Sequence, residues 1–175
     1  LVNGHEMVPC NKRGAKGTME EVAVESVREC VNARTHQNKD KESAVARIES
    51  KIFKYDLLEN QILFVRLDEE DVFPPVLNGL VATQLAEKYK HPTIVARLND
   101  DGMIKGSIRG VSNSEFNNFR SYLNGTGLFD FVQGHESAAG CAIPEKNLRK
   151  LHELANKELS EYNFTEAFFP INFSR

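Results

Sequence analysis

Two short stretches combine residue types that handle phosphate. Gly106-Ser107-Ile108-Arg109-Gly110 reads as a strand, and a period of two puts Ser107 and Arg109 on one face with Ile108 on the other. A hydroxyl beside a guanidinium, flanked by glycines that admit close backbone approach, suits a phosphate. The same spacing also describes an exposed hairpin strand with a solvated arginine. In Gln133-Gly134-His135-Glu136-Ser137-Ala138-Ala139-Gly140, one histidine follows a glycine and precedes a run of small residues. A ligand can approach such a backbone closely, and histidine bonds or pairs with phosphate oxygen according to its charge. A lone histidine in a structural role fits the pattern equally well. His5, His36, His91 and His152 fall in loops or on polar faces and read as surface residues.

Other chemistries lack their residues. No pair of His or Asp residues stands at metal-ligand spacing, and no nucleophile elbow supports a Ser-His-Asp triad. Asp68-Glu69-Glu70-Asp71 reads as a solvated loop. Gly14-Ala15-Lys16-Gly17-Thr18 departs from a phosphate loop because its lysine precedes the second glycine, so it reads as a basic turn capping a helix. Cys10, Cys30 and Cys141 form no C-x-x-C pair, which supports neither a zinc site nor a disulfide framework. Cys141 reads as a small core residue, and the expected setting is reduced and cytoplasmic.

The elements that must position these residues follow from pattern and punctuation. Thr18 with Glu21 gives a capping box, and from Arg28 to about Lys54 the chain is charged, with Ala44, Val45, Ile48 and Ile52 at helical spacing. This predicts one long helix or two in tandem, with Asn32 to Asn38 the weakest stretch. Gln61 to Val65 and Thr93 to Ala96 read as buried strands with a helix from Gly79 to Lys90 between them. The turn Asn99-Asp100-Asp101-Gly102 joins Ile94–Leu98 to Met103–Arg109 as a hairpin. Ser114 is expected to cap a helix to Leu123, with strands over 128–132 and 138–143 and a last helix opened by Pro144. The tail, with Phe164, Phe168, Phe169, Ile171 and Phe173, is expected to add an edge strand. The fold class expected is α/β: a mixed sheet of about five strands flanked by helices in residues 55–175, preceded by a long polar helical connector in residues 1–54.

The composition fits a globular protein: 175 residues, 41% hydrophobic and 27% charged. With 22 basic against 25 acidic residues the net charge is −3, which excludes nucleic-acid binding by bulk charge but not by a local groove. No run approaches the roughly 20 apolar residues of a transmembrane helix, so no membrane partner is expected. Leu1 in place of Met points to a fragment, or to disordered residues before it.

The order of features resembles a known family. The segment from Asn78 to Arg97, then Lys105 to Gly110, then Gly134 to Pro144 with the helix after it, is similar to the C-terminal, substrate-binding domain of DHH-family phosphoesterases. Within that superfamily it is most similar to the RecJ branch of single-strand-specific 5′-to-3′ DNA exonucleases, over about residues 60–160. The polar helix around Val31 to Gln37 resembles the connector between the two domains of those proteins. The resemblance implies a division of labour, in which an N-terminal DHH domain holds Mn2+ or Mg2+ and this domain closes over the cleft and grips single-stranded DNA. It implies that no metal is bound by this chain and that the segment alone is inactive. By matching motifs, Ser107 and Arg109 bind backbone phosphate, and Gly134 and His135 face the metal-bound phosphate, His135 as an auxiliary catalytic-cleft residue. Ala138, Ala139 and Gly140 keep that wall thin. Gly79 and Ala82 match the start of a helix under the site, where Gly79 lends an N–H to an anion. Gln133 stands where many relatives have a second glycine, and Gly110 where a serine is common, which leaves two alternatives. One is action on short oligonucleotides or cyclic dinucleotides; the other is a non-catalytic RNA-binding or interaction module, as in the related appendage of alanyl-tRNA synthetase.

Overall fold

A computed structural model describes residues 6–10, 19–71 and 73–164 and divides into two units, Leu1–Glu42 and Ser43–Arg175. The first holds an antiparallel ribbon of β1 (Met7–Pro9) and β2 (Met19–Glu21) and the start of α1 (Val22–Lys54). Because Met19 to Glu21 pair with β1, the helix begins only at Val22; Thr18 and the basic turn before it lie outside the described residues. With no Pro or Gly between Val22 and Lys54, α1 runs unbroken through Asn32 to Asn38.

The second unit is built on β3 (Leu63–Leu67), α2 (Asn78–Tyr89), β4 (Thr93–Leu98), β5 (Met103–Arg109), α3 (Phe119–Gly125), β6 (Phe131–His135), β7 (Ala138–Pro144) and α4 (Leu148–Glu158). The strands form one mixed sheet in the order β3-β4-β5-β7-β6, with β3 and β4 parallel and every other pair antiparallel. This is the five-stranded α/β architecture expected. Alternation along the strands feeds two cores. On one face Ile94, Ile108, Cys141 and Ile143 pack with Phe119 and Leu123 of α3 and Leu151 and Ala155 of α4. On the other, Leu63, Val65 and Val95 pack with Val81 and Leu85 of α2 and with Ala44, Val45, Ile48 and Ile52. Residues 43–54 of the polar helix thus join the second unit's core, each buried aliphatic contributing about 1.5–3 kcal/mol.

Several local expectations shift. Ser114 caps no helix, since its hydroxyl donates to Phe116 O at 3.0 Å in a tight turn and α3 starts at Phe119. The strand expected over 128–132 runs three residues later, because Leu128 and Phe129 pack against the core from a loop. After Pro144 a single 3-10 turn precedes α4. Asp71 is not solvated: it is 2% exposed, pairs with Lys51 and accepts the Asp68 N–H at 2.8 Å. Phe164 is buried among Phe116, Tyr162 and His91; the rest of the aromatic tail lies outside the described residues.

His91 and His152 are not plain surface residues either. His91 Nδ1 lies 2.7 Å from Tyr89 O, and half-buried His152 sits edge-on to Phe64 with ring centroids 6.0 Å apart. Burial lowers the His152 pKa below its ordinary 6.5, so the unfolded chain takes up a proton there before the folded one does. Stability is therefore full above that value and falls as the pH drops through and below it. Urea melts at pH 7.5 and 5.5 are expected to show this loss, and His152→Leu to reduce it; an identical loss in the variant would refute the assignment.

Candidate functional site

The helices cover only part of the second core's face. α2 lies over β4 and β5, and the end of α1 packs with it on β3 and β4; among the described residues no helix of this core covers the same face of β7 and β6. The register brings three rows together there: Arg109, Ala138 and His135; Ser107, Gly140 and Gln133; Lys105, Ala142 and Phe131. Directly opposed antiparallel residues share a face, so β5 presents two cations and a hydroxyl, β7 a floor of small residues, and β6 a rail of His, Gln and Phe. With strands about 4.8 Å apart, the outer rails are separated by roughly 10 Å. Phe131, Gln133 and His135 are exposed, whereas Ser107, Arg109, Ala138 and Gly140 are half-buried.

Arg109 is the focus of this face. Its guanidinium lies against the start of α2, where a Cβ added at Gly79 would fall 2.3 Å from Nη2. Nη1 donates to Ile108 O at 2.6 Å. Burial lowers the Arg109 pKa with no acidic neighbour to offset it, yet an arginine remains charged at any physiological pH. Gly79 belongs to the first turn of α2, which continues from a 3-10 turn over Pro75–Leu77 whose Pro75 O accepts the Asn78 N–H. A cation held half out of water without a counter-charge is a standing anion site.

The hairpin carrying His135 is held by contacts that the sequence does not reveal. Glu136 pairs with Arg120 and accepts the Ser121 N–H at 3.0 Å and hydroxyl at 2.8 Å. Arg120 also donates from its backbone to Glu136 O at 2.9 Å and from Nη1 to Gly134 O at 3.1 Å. The bonds from Ser121, with help from Arg120, keep the Glu136 pKa below the usual carboxylate value. Gly110 N–H to Ser137 O at 2.9 Å pins the other side.

Of the residues singled out in the sequence, Ser107, Arg109, Ala138, Gly140, His135 and Gly79 converge on this face. Ala139 does not: the period of two on β7 turns its side chain into the opposite core, where it is 6% exposed. Ala142 completes the floor in its place, and Ala82 is buried in the core under α2. Cys141 is buried, and burial pushes its thiol up to about 12, which leaves it inert. Among the described residues no group of three or more His, Cys, Asp or Glu could hold a metal ion. No described helix is long and apolar enough to cross a membrane.

The glycines here divide into two kinds. Gly134 has φ +140°, and a Cβ on it would lie 2.7 Å from Ala139 Cα; Gly140 has nothing nearer than 3.8 Å in that direction. Gly134→Ala is expected to cost about 2–4 kcal/mol through backbone strain and crowding. Gly140→Ala should leave the urea midpoint unchanged, and equal midpoints for the two variants would contradict the geometry.

Comparison with protein-family models finds no match. The chain is 34% identical over 172 residues, 96% of its length, to YorK of Bacillus subtilis, provisionally described as an SPbeta prophage-derived single-strand DNA-specific exonuclease. It is 30% identical over 95 residues, 51% of its length, to the single-stranded-DNA-specific exonuclease RecJ of the same organism. It spans 30% of YorK and 12% of that RecJ. Among solved structures, exonuclease RecJ bound to manganese matches 78% of this chain and 32% of its own, with a TM-score of 0.53 at 19% identity. RecJ of Thermus thermophilus in complex with Mg2+ matches 85% of this chain and 21% of its own, again at 0.53 and 19%. Similarity along nearly the whole chain, joined to that shared fold, makes this a RecJ-like chain that corresponds to about a third of the longer exonuclease YorK.

Proposed function

We propose that this chain is the strand-gripping part of a RecJ-like 5′-to-3′ exonuclease and holds the backbone phosphates of single-stranded DNA on its open sheet face. Arg109, Ser107 and the first-turn N–H groups of α2 at Gly79 are the phosphate ligands. His135, set across Ala138 from Arg109, is the residue nearest the scissile group, and Gly134 lets the hairpin come close to it. Ala138 and Gly140 keep the floor low enough for the backbone to lie flat. The metal chemistry, with Mn2+ or Mg2+, belongs in this reading to a DHH domain elsewhere in the full-length protein, and this chain alone does not hydrolyse DNA.

One observation carries the reading. The Arg109 guanidinium is half-buried, lies against the start of α2, and among the described residues has no acidic partner and no helix over β7 and β6 on its face. An anion is the partner that such a group lacks, and a nucleic-acid strand supplies anions in a row. The net charge of −3 makes the grip local, so two or three phosphate contacts give a log–log salt slope of only roughly −1.5 to −2.

Fluorescence anisotropy of a labelled single strand, about a dozen nucleotides long, tests this at low salt. Arg109→Ala is expected to weaken binding at least about tenfold, the value of a charged hydrogen bond. Gly79→Ala should preserve or raise helix stability yet weaken binding, because its methyl displaces the guanidinium. Equal affinity for wild type and Arg109→Ala would overturn the proposal. Displacement of the strand by cyclic dinucleotides at equal concentration would shift the reading to a small-nucleotide phosphodiesterase, and preference for a structured RNA would shift it to an RNA-binding module.

A further inference from the structure

Phe131 and Gln133 of the β6 rail have no role in gripping phosphate, yet both are exposed on the same face. Phe131 is 36% exposed, a large apolar side chain left in water at the end of a strand whose next residue, Val132, is 4% exposed in the opposite core. The register sets Phe131 across Ala142 from Lys105 and sets Gln133 across Gly140 from Ser107. The floor between the rails has no side chain larger than a methyl group; it is half-buried at Ala138 and Gly140, and Ala142 is fully buried between Lys105 and Phe131, which leaves the Phe131 ring as the exposed surface of that row. Successive rows are two residues apart along the strands, about 7 Å. A stretched single strand therefore meets one row per nucleotide.

We infer that Phe131 is a base-stacking platform and Gln133 a neighbouring hydrogen-bonding group, so that the face binds the bases of the strand along β6 while β5 binds its phosphates. This rests on the phosphate reading of Arg109 and adds a substrate requirement to it: the ligand must carry bases. The arrangement is polarised in chemistry as a nucleotide is. Charge lies on β5, with Arg109 free of a carboxylate and Lys105 in an exposed pair with Asp101 at 2.8 Å, a contact of little strength. An aromatic ring and a neutral amide lie on β6, about two strand spacings away. A ring accepts any base, since every base has a stacking face, whereas Gln133 offers both a donor and an acceptor without a charge. Nothing in this arrangement selects a sequence.

The experiment compares two labelled ligands of equal length and charge, an oligothymidylate and the same strand built from abasic residues, against the full 175-residue chain. Wild type is expected to favour the base-bearing strand at least about fivefold, and Phe131→Ala to bind both alike. Phe131→Trp, which keeps the stacking ring, should restore the preference, a rescue that a packing role would not produce. Arg109→Ala should weaken both ligands in parallel. Equal binding of both strands by wild type, with Arg109→Ala still weakening them, would overturn the base platform and leave the phosphate grip standing. No effect of Arg109→Ala on either strand would overturn both.

Discussion

The close approach of α2 to β5 is the constraint on which the open face depends. A glycine at position 79 lets the guanidinium of Arg109 lie on the helix backbone, and any larger residue there would occupy the space that Nη2 fills. The helix stays in place because Val81 and Leu85 are buried against Leu63, Val65 and Val95. Its position therefore follows from a packed apolar layer, which is stiff. α2 covers β4 and β5, and among the described residues no helix continues over β7 and β6 on this side.

The other end of the face is fixed differently. The His135 hairpin has no apolar layer beneath its exposed side and is tied by polar contacts: Glu136 to Arg120 and Ser121, Arg120 to Gly134 O, and Gly110 to Ser137 O. Several hydrogen bonds to charged groups converge on one turn, an arrangement that holds a loop to a fixed geometry more by direction than by depth. The site thus has one wall set by hydrophobic packing and one by a polar clamp. These respond to different conditions: salt and acid act mainly on the clamp, denaturant on the packed wall.

What was legible in the sequence was local. The Asn99–Gly102 turn and the alternation of Ser107, Ile108 and Arg109 were readable because they depend on residues next to one another, and the hairpin forms with Gly102 at φ +74° as its turn requires. The contact of Gly79 with Arg109 joins positions thirty residues apart, and neither residue type announces it. Ala139 was grouped with its neighbours by composition, whereas strand alternation sends it to the other face. His152 and Asp71 looked exposed because polar residues usually are; only the fold places His152 against Phe64 and Asp71 against Lys51. The Glu136 clamp was invisible because its partners, Arg120 and Ser121, are distant in sequence and ordinary in type.

Such a face suits a ligand that must be held and then moved. A deep pocket with several buried charge pairs would bind one nucleotide tightly and release it slowly, since affinity differences between related complexes reside mostly in dissociation. In the proposed reading, a shallow strip with one uncompensated cation, a floor of small residues and a sequence-tolerant aromatic ring holds each nucleotide weakly. In that reading, affinity is supplied by a second site tethered to this one, through the raised effective concentration that tethering provides.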